Sequence, residues 1–210
     1  MRARYFLIAG AAVLILIVSV AAGIGLKHAV VAPTPDAAAA PTRPLVKFTM
    51  KDPAGRIVTE KDFHGHWTMV LFGFTHCPDV CPLSMLYATD LLKDLGLLAD
   101  SLQVVFITVD PGRDTDDVLI DYLTNFDPRI VALRGNAQQT ADTAKVFGAY
   151  YAIRPPYGAD GEEYNVEHSN AFYLVDPGGR LQRAFALKQG QGGAFLNKEI
   201  RATIFTSPKE

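Results

Sequence analysis

Residues 67–74 read "WTMVLFGF", a continuous apolar and aromatic run of strand length. A run without polar alternation suits a strand covered on both faces, the usual condition of strands in an α/β sandwich. It hands over through "THCPDVC" to "PLSMLYATDLLKDLGLL", residues 82–98. There Leu83, Leu86, Leu91, Leu95 and Leu98 recur at helical spacing, which predicts a helix with a leucine face toward the core. A two-faced strand feeding directly into a helix commits the chain to a layered architecture. It also places whatever lies between them at the C-terminal end of a central strand, where α/β folds usually keep their sites.

The remaining pattern agrees. "LQVVFITVD" (102–110) and "RIVALRG" (129–135) read as further strands, and "DTDDVLIDYLTNF" (114–126) as a helix with an acidic first turn. "AQQTADTAKVFGAYY" (137–151) is helical to about Phe147. "NAFYLVD" (170–176) and "RLQRAFAL" (180–187) flank a Pro-Gly-Gly turn as a β-hairpin, and a last helix runs from Phe195 to about Phe205. Helices alternating with strands, followed by a hairpin and a helix, predict an α/β fold with a central mixed β-sheet flanked by helices. Tyr164, Phe172 and Tyr173 read as core.

The N-terminus sets the compartment. Residues 6–26 carry no charge over 21 positions, enough for a helix to cross a hydrocarbon core of roughly 30 Å. Arg2 and Arg4 precede it, so the expected orientation keeps the N-terminus in the cytoplasm and everything after Lys27 outside. Residues 28–44, with four prolines and many alanines, read as an extended tether. The expected organisation is an anchor over 1–27, a tether over 28–44 and one domain over 45–210. A formal charge of −2 gives no excess that points to nucleic acid, and no phosphate-cradling glycine loop is present in the sequence.

The chain has two cysteines, Cys77 and Cys81, each followed by proline. A residue before proline is pushed out of the α region, and proline is tolerated at the first helical position. This predicts Pro82 as the first helical residue, Cys81 as its cap and Cys77 in the preceding loop. Both sulfurs then lie near the positive end of a helix dipole, which favours thiolate. So short a loop constrains the unfolded chain little, so a purely structural disulfide is a weak reading. A redox couple and a soft-metal site both remain. Two thiolates and an imidazole would suit Cu(I). Of the five histidines, His28 falls in the tether, and His64 and His66 sit in a turn before the central strand. His76 adjoins Cys77, and His168 lies in "YNVEHSN" more than eighty residues from the cysteines. Spacing alone does not choose among them. "VDPGRDT" reads as a strand end, a turn at Gly112 and a helix cap at Asp114 or Thr115.

"GFTHCPDVCP" (73–82), "TVDPGRDT" (108–115), "YNVEHSNAFYLVDPGG" (164–179) and the N-terminal apolar segment together resemble the Sco/SenC family. Its members are membrane-tethered, thioredoxin-like copper proteins that assist the assembly of cytochrome c oxidase. The resemblance spans roughly residues 45–206. It implies a thioredoxin-like fold and a copper site, Cu(I) or Cu(II), made of Cys77, Cys81 and His168. It also implies a partner, the copper-receiving subunit of the oxidase. With the orientation of the N-terminal segment, the expected location is the inner membrane, with the domain facing the periplasm and expected to be monomeric. Glu167 stands where the family usually has Asp, and Asp79 matches the family inside the cysteine loop. The two expected roles are a copper metallochaperone and a thiol:disulfide oxidoreductase in which Cys77 and Cys81 cycle. The first is a binding function without turnover.

Overall fold

The structure, a computed structural model, describes residues 43–154, 164–186 and 191–206. The expected anchor and tether lie outside them, and no described helix is long and apolar enough to cross a membrane. The strands are β1 (Thr49–Lys51), β2 (Ile57–Thr59), β3 (Trp67–Gly73), β4 (Leu102–Thr108), β5 (Ile130–Leu133), β6 (Tyr151–Arg154), β7 (Asn165–His168), β8 (Ala171–Val175) and β9 (Leu181–Ala186). The α-helices are α1 (Val80–Leu95), α2 (Asp116–Leu123), α3 (Ala137–Phe147) and α4 (Gly193–Thr206).

Five strands form one mixed sheet in the order β5-β4-β3-β8-β9. β3 runs parallel to β4 and antiparallel to β8, and β4 is parallel to β5. The apolar run therefore lies at the centre, and both of its faces are covered. Met69 and Leu71 face a core that includes Met85, Leu91, Leu92 and Leu95 of α1 and Leu196 and Ile200 of α4. Val70, Phe72 and Phe74 face a second core with Ala144 and Phe147 of α3 and with Met50 and Val58 of the β1–β2 pair. This is the thioredoxin-like arrangement that the resemblance implies.

Two features differ from the sequence reading. The core face of α1 is only partly the leucine row: Leu91 and Leu95 are buried, together with Met85, Ala88 and Leu92, but Leu83 and Leu86 are exposed, as is Leu98 beyond the helix. The packed face is centred on Met85, Ala88 and Leu92, which meet the sheet at helical spacing. Two small antiparallel pairs, β1–β2 and β6–β7, have no counterpart in the sequence pattern. Their strands are only three or four residues long.

Topology decides where the site falls. Parallel β3 and β4 end at the same edge, and antiparallel β8 begins there, with Leu71 opposite Phe172. The segments that follow β3, follow β4 and precede β8 converge at that edge. Val109 N–H donates to the Gly73 carbonyl at 2.8 Å, which closes the first two together.

Candidate metal centre

The segment after β3 carries both cysteines. Cys77 N–H donates to the Phe74 carbonyl at 3.3 Å in a turn, and the chain then enters α1 at Val80 with Asp79 as the N-cap. Helix α1 thus starts two residues earlier than the prolines suggest, and Cys81 lies inside its first turn. The reason is that the first turn's N–H groups have no intrahelical partner, so Pro82 removes no ladder bond there. The first bond of the ladder, Leu83 N–H to the Asp79 carbonyl, is 3.4 Å. Cys81 is buried and Cys77 partly so, and both are free thiols. Gly73 lets the helix come this close: a Cβ there would stand 3.0 Å from Cys81 Sγ.

His168 arrives from the other side. It ends β7, where it pairs with Tyr151 of β6. Its Nδ1 lies 3.1 Å from the Ser169 carbonyl. A carbonyl only accepts, so Nδ1 carries the proton and Nε2 presents a lone pair. Nε2 lies 3.0 Å from Cys81 Sγ. The ring also meets Phe74 edge-on, with centroids 5.8 Å apart and planes at 90°. One donor atom each from Cys77, Cys81 and His168 lies within 4.8 Å of the others. An imidazole whose far nitrogen is tied to a carbonyl is the usual form of a metal-ligating histidine.

The two thiols are unequal. The Cys77 thiol is lowered to about 3, first by its hydrogen bond with Cys81. Partial burial opposes this, while the backbone N–H groups of Asp79 and Cys81 add to it. The Cys81 thiol is pushed far up, because it donates a hydrogen bond to the Cys77 sulfur and is buried. The pair therefore holds one proton, on Cys81, and one negative charge, on the more accessible Cys77. Such a set can take up a soft cation or attack a disulfide.

The other expected participants lie elsewhere. His76 points away from the sulfurs: its Nδ1 is 3.0 Å from Thr75 Oγ1 and 3.6 Å from Asp114, and the side chain is half exposed. His64 and His66 are exposed in the turn before β3. Glu167 alternates to the face of β7 opposite His168 and pairs with Arg154 of β6 at 2.7 Å on the exposed side of the strands. The carboxylate of Asp79 is exposed, and its backbone does the capping. Thr115, not Asp114, caps α2 by accepting from Val118 N–H. Asp114 is fully buried instead. Phe172 and Tyr173 are core, as expected, whereas Tyr164 is only partly buried and bonds Asp110.

A profile of the family described as SCO1/SenC matches residues 37–203. The chain belongs to the SCO1/SenC family. Among SCO1/SenC relatives, the SCO2-like protein RP587 of Rickettsia prowazekii is 39% identical over 140 residues, covering 67% of this chain and 68% of its own. The human mitochondrial SCO1 homolog is 34% identical over 162 residues, covering 76% of this chain but 51% of its own. The match thus spans about half of the human relative's length. The crystal structure of yeast Sco1 with copper bound is 32% identical, with a TM-score of 0.70 over 79% of this chain and 91% of that one.

Proposed function

We propose that this chain is a copper metallochaperone that holds one copper ion through Cys77, Cys81 and His168. It would deliver that ion to the dinuclear copper site of cytochrome c oxidase during assembly. The observation that carries the reading is the convergence of two sulfurs and one proton-free imidazole nitrogen within 4.8 Å, from segments 87 residues apart. That donor set is soft, and three donors leave a side open to an incoming thiolate. Copper in the yeast relative's structure supports the choice of ion. Membership of the SCO1/SenC family supports a partner in cytochrome c oxidase assembly. The uncharged segment 6–26 would anchor the chain in the inner membrane, leaving the domain after the tether in the periplasm. Tethering raises the effective concentration against a partner in the same membrane.

A second reading rests on the unequal thiols. Cys77 as thiolate could attack a disulfide in the target. Cys81, after losing its proton, would then displace the target's sulfur and leave a Cys77–Cys81 disulfide with the target reduced. The two roles separate at His168. The test loads the reduced full-length chain with Cu(I) and Cu(II) and compares wild type with His168→Ala. The expected result is one tightly held copper with sulfur-to-copper charge-transfer bands, much weakened in the variant, while disulfide reduction persists. Full copper affinity in His168→Ala would remove the histidine from the ligand set. A wild-type chain that reduces disulfides but takes no copper would leave the second reading alone.

A further inference from the structure

The loop after β4, residues 109–114, touches no ligand, yet it carries two carboxylates that are almost wholly buried, Asp110 at 1% exposure and Asp114 at 0%. Burying a carboxylate is costly unless its oxygens are satisfied. The partners of these two divide between the two ligand-bearing segments. Asp114 accepts from Thr75 N–H at 3.1 Å and from Thr75 Oγ1 at 2.6 Å, two residues before Cys77. It also accepts from Thr108 Oγ1 at 2.5 Å, which fixes it to the end of β4. Asp110 accepts from the Tyr164 hydroxyl at 2.6 Å and from Arg113 Nε at 2.5 Å.

Arg113 completes the second half. Its Nη1 donates to the Tyr164 carbonyl at 3.0 Å, and its guanidinium lies 3.9 Å from the Tyr164 ring centroid. Tyr164 directly precedes β7, the strand that ends in His168. The same guanidinium lies 5.7 Å from the centroid of Phe74, the ring that meets His168 edge-on. Cysteine segment and histidine hairpin are therefore held by one short loop, through charge-assisted bonds that are stronger than neutral ones.

We propose that the loop 109–114 is the positioning element of the metal centre: Asp114 sets the approach to Cys77, and Asp110 with Arg113 sets the strand that delivers His168. Residues Asp110, Arg113, Asp114 and Tyr164 act through the ligands and touch no metal. The proposal rests on the reading of Cys77, Cys81 and His168 as copper ligands. It predicts that the two halves are energetically separable.

The test uses the reduced full-length chain, with Cu(I) and Cu(II) as the probes. Tyr164→Phe removes the hydroxyl but keeps the ring under Arg113, and is expected to lower copper affinity about tenfold. In a His168→Ala background the same change is expected to cost nothing more, because its route to the metal is gone. Thr75→Val, acting through the cysteine segment, is expected to weaken binding in both backgrounds. Losses from Tyr164→Phe that are equal with and without His168, or no loss at all, would overturn the proposal. The imidazole NMR signals of His168 in the copper-free chain give a readout independent of the ligand assignment. Tyr164→Phe should shift or broaden them, and Thr75→Val should leave them in place. Unmoved His168 signals in Tyr164→Phe would refute the positioning role even in a chain that bound no copper. A wild type without copper affinity would instead refute the ligand reading.

Discussion

Gly73→Ala probes the closest contact in the site. A Cβ at Gly73 would lie 2.8 Å from Cε2 of Phe106 and 3.0 Å from Sγ of Cys81. Non-bonded atoms settle at about 3.5 Å or more, so the ring and the sulfur must each yield by roughly half an ångström. Ligand constellations are held to about 0.5 Å before their geometry degrades. Overpacking of this kind costs about 1–3 kcal/mol of stability. If half of that cost falls on the loaded state alone, where the metal pins the sulfur, copper affinity drops by about 0.5–1.5 kcal/mol, roughly two- to tenfold. Competition for Cu(I) against a chromophoric chelator reads the affinity, and a thermal melt reads the fold. Phe106→Leu added to Gly73→Ala removes the ring contact and keeps the sulfur contact. Stability should then recover in part while affinity stays low. Wild-type affinity in Gly73→Ala, with an unchanged charge-transfer spectrum, would refute the claim that the glycine makes room for the Cys81 sulfur.

Three further outcomes are expected. Cys77 is depressed by folding, so its stabilising contribution is complete above the ordinary thiol value of 9.0 and drains away as pH falls toward about 3. The difference in melting temperature between the copper-free wild type and Cys77→Ser should therefore widen as pH rises through this window. A constant difference would mean that Cys77 is a thiol at neutral pH. Because the free pair holds one proton, Cu(I) loading near pH ~7 should release about one proton per copper, measurable by calorimetry in buffers of different ionisation enthalpy; two protons would contradict the unequal pair. Glu167→Gln breaks an exposed ion pair with Arg154. Such pairs contribute little, so stability and copper affinity should hardly change, whereas a large loss of affinity would place Glu167 at the metal.

Sequence and structure agree best where local chemistry is unambiguous. Helix α3 is read to its last residue because both of its ends are written locally: Asn136 and Gln139 form a capping box, and Gly148 takes the left-handed conformation at φ 67°. The central strand is legible because both of its faces are covered. The β6–β7 pair is not, since "YAIR" and "NVEH" are too short and too mixed to show a period, and their pairing joins residues distant in sequence. That pair delivers His168, so residue spacing alone left the histidine undecided among several. The same holds for Asp114, which looks like a helix cap from its neighbours. Its partner Thr75 lies 39 residues away, and only the parallel pairing of β3 with β4 reveals it.

Distance along the chain between Cys81 and His168, 87 residues, has a consequence for the carrier itself. An unfolded chain presents two nearby thiols but not the imidazole beside them, so copper discriminates between folded and unfolded forms. Any ligand that prefers the folded form stabilises it by mass action, by about 2.7 kcal/mol at a hundredfold excess over its dissociation constant. Loading therefore hardens the domain, and handing the ion over softens it again. The empty carrier is the state most exposed to proteolysis and to oxidation of its two sulfurs. Its lifetime after each delivery is then set by how quickly the next ion arrives.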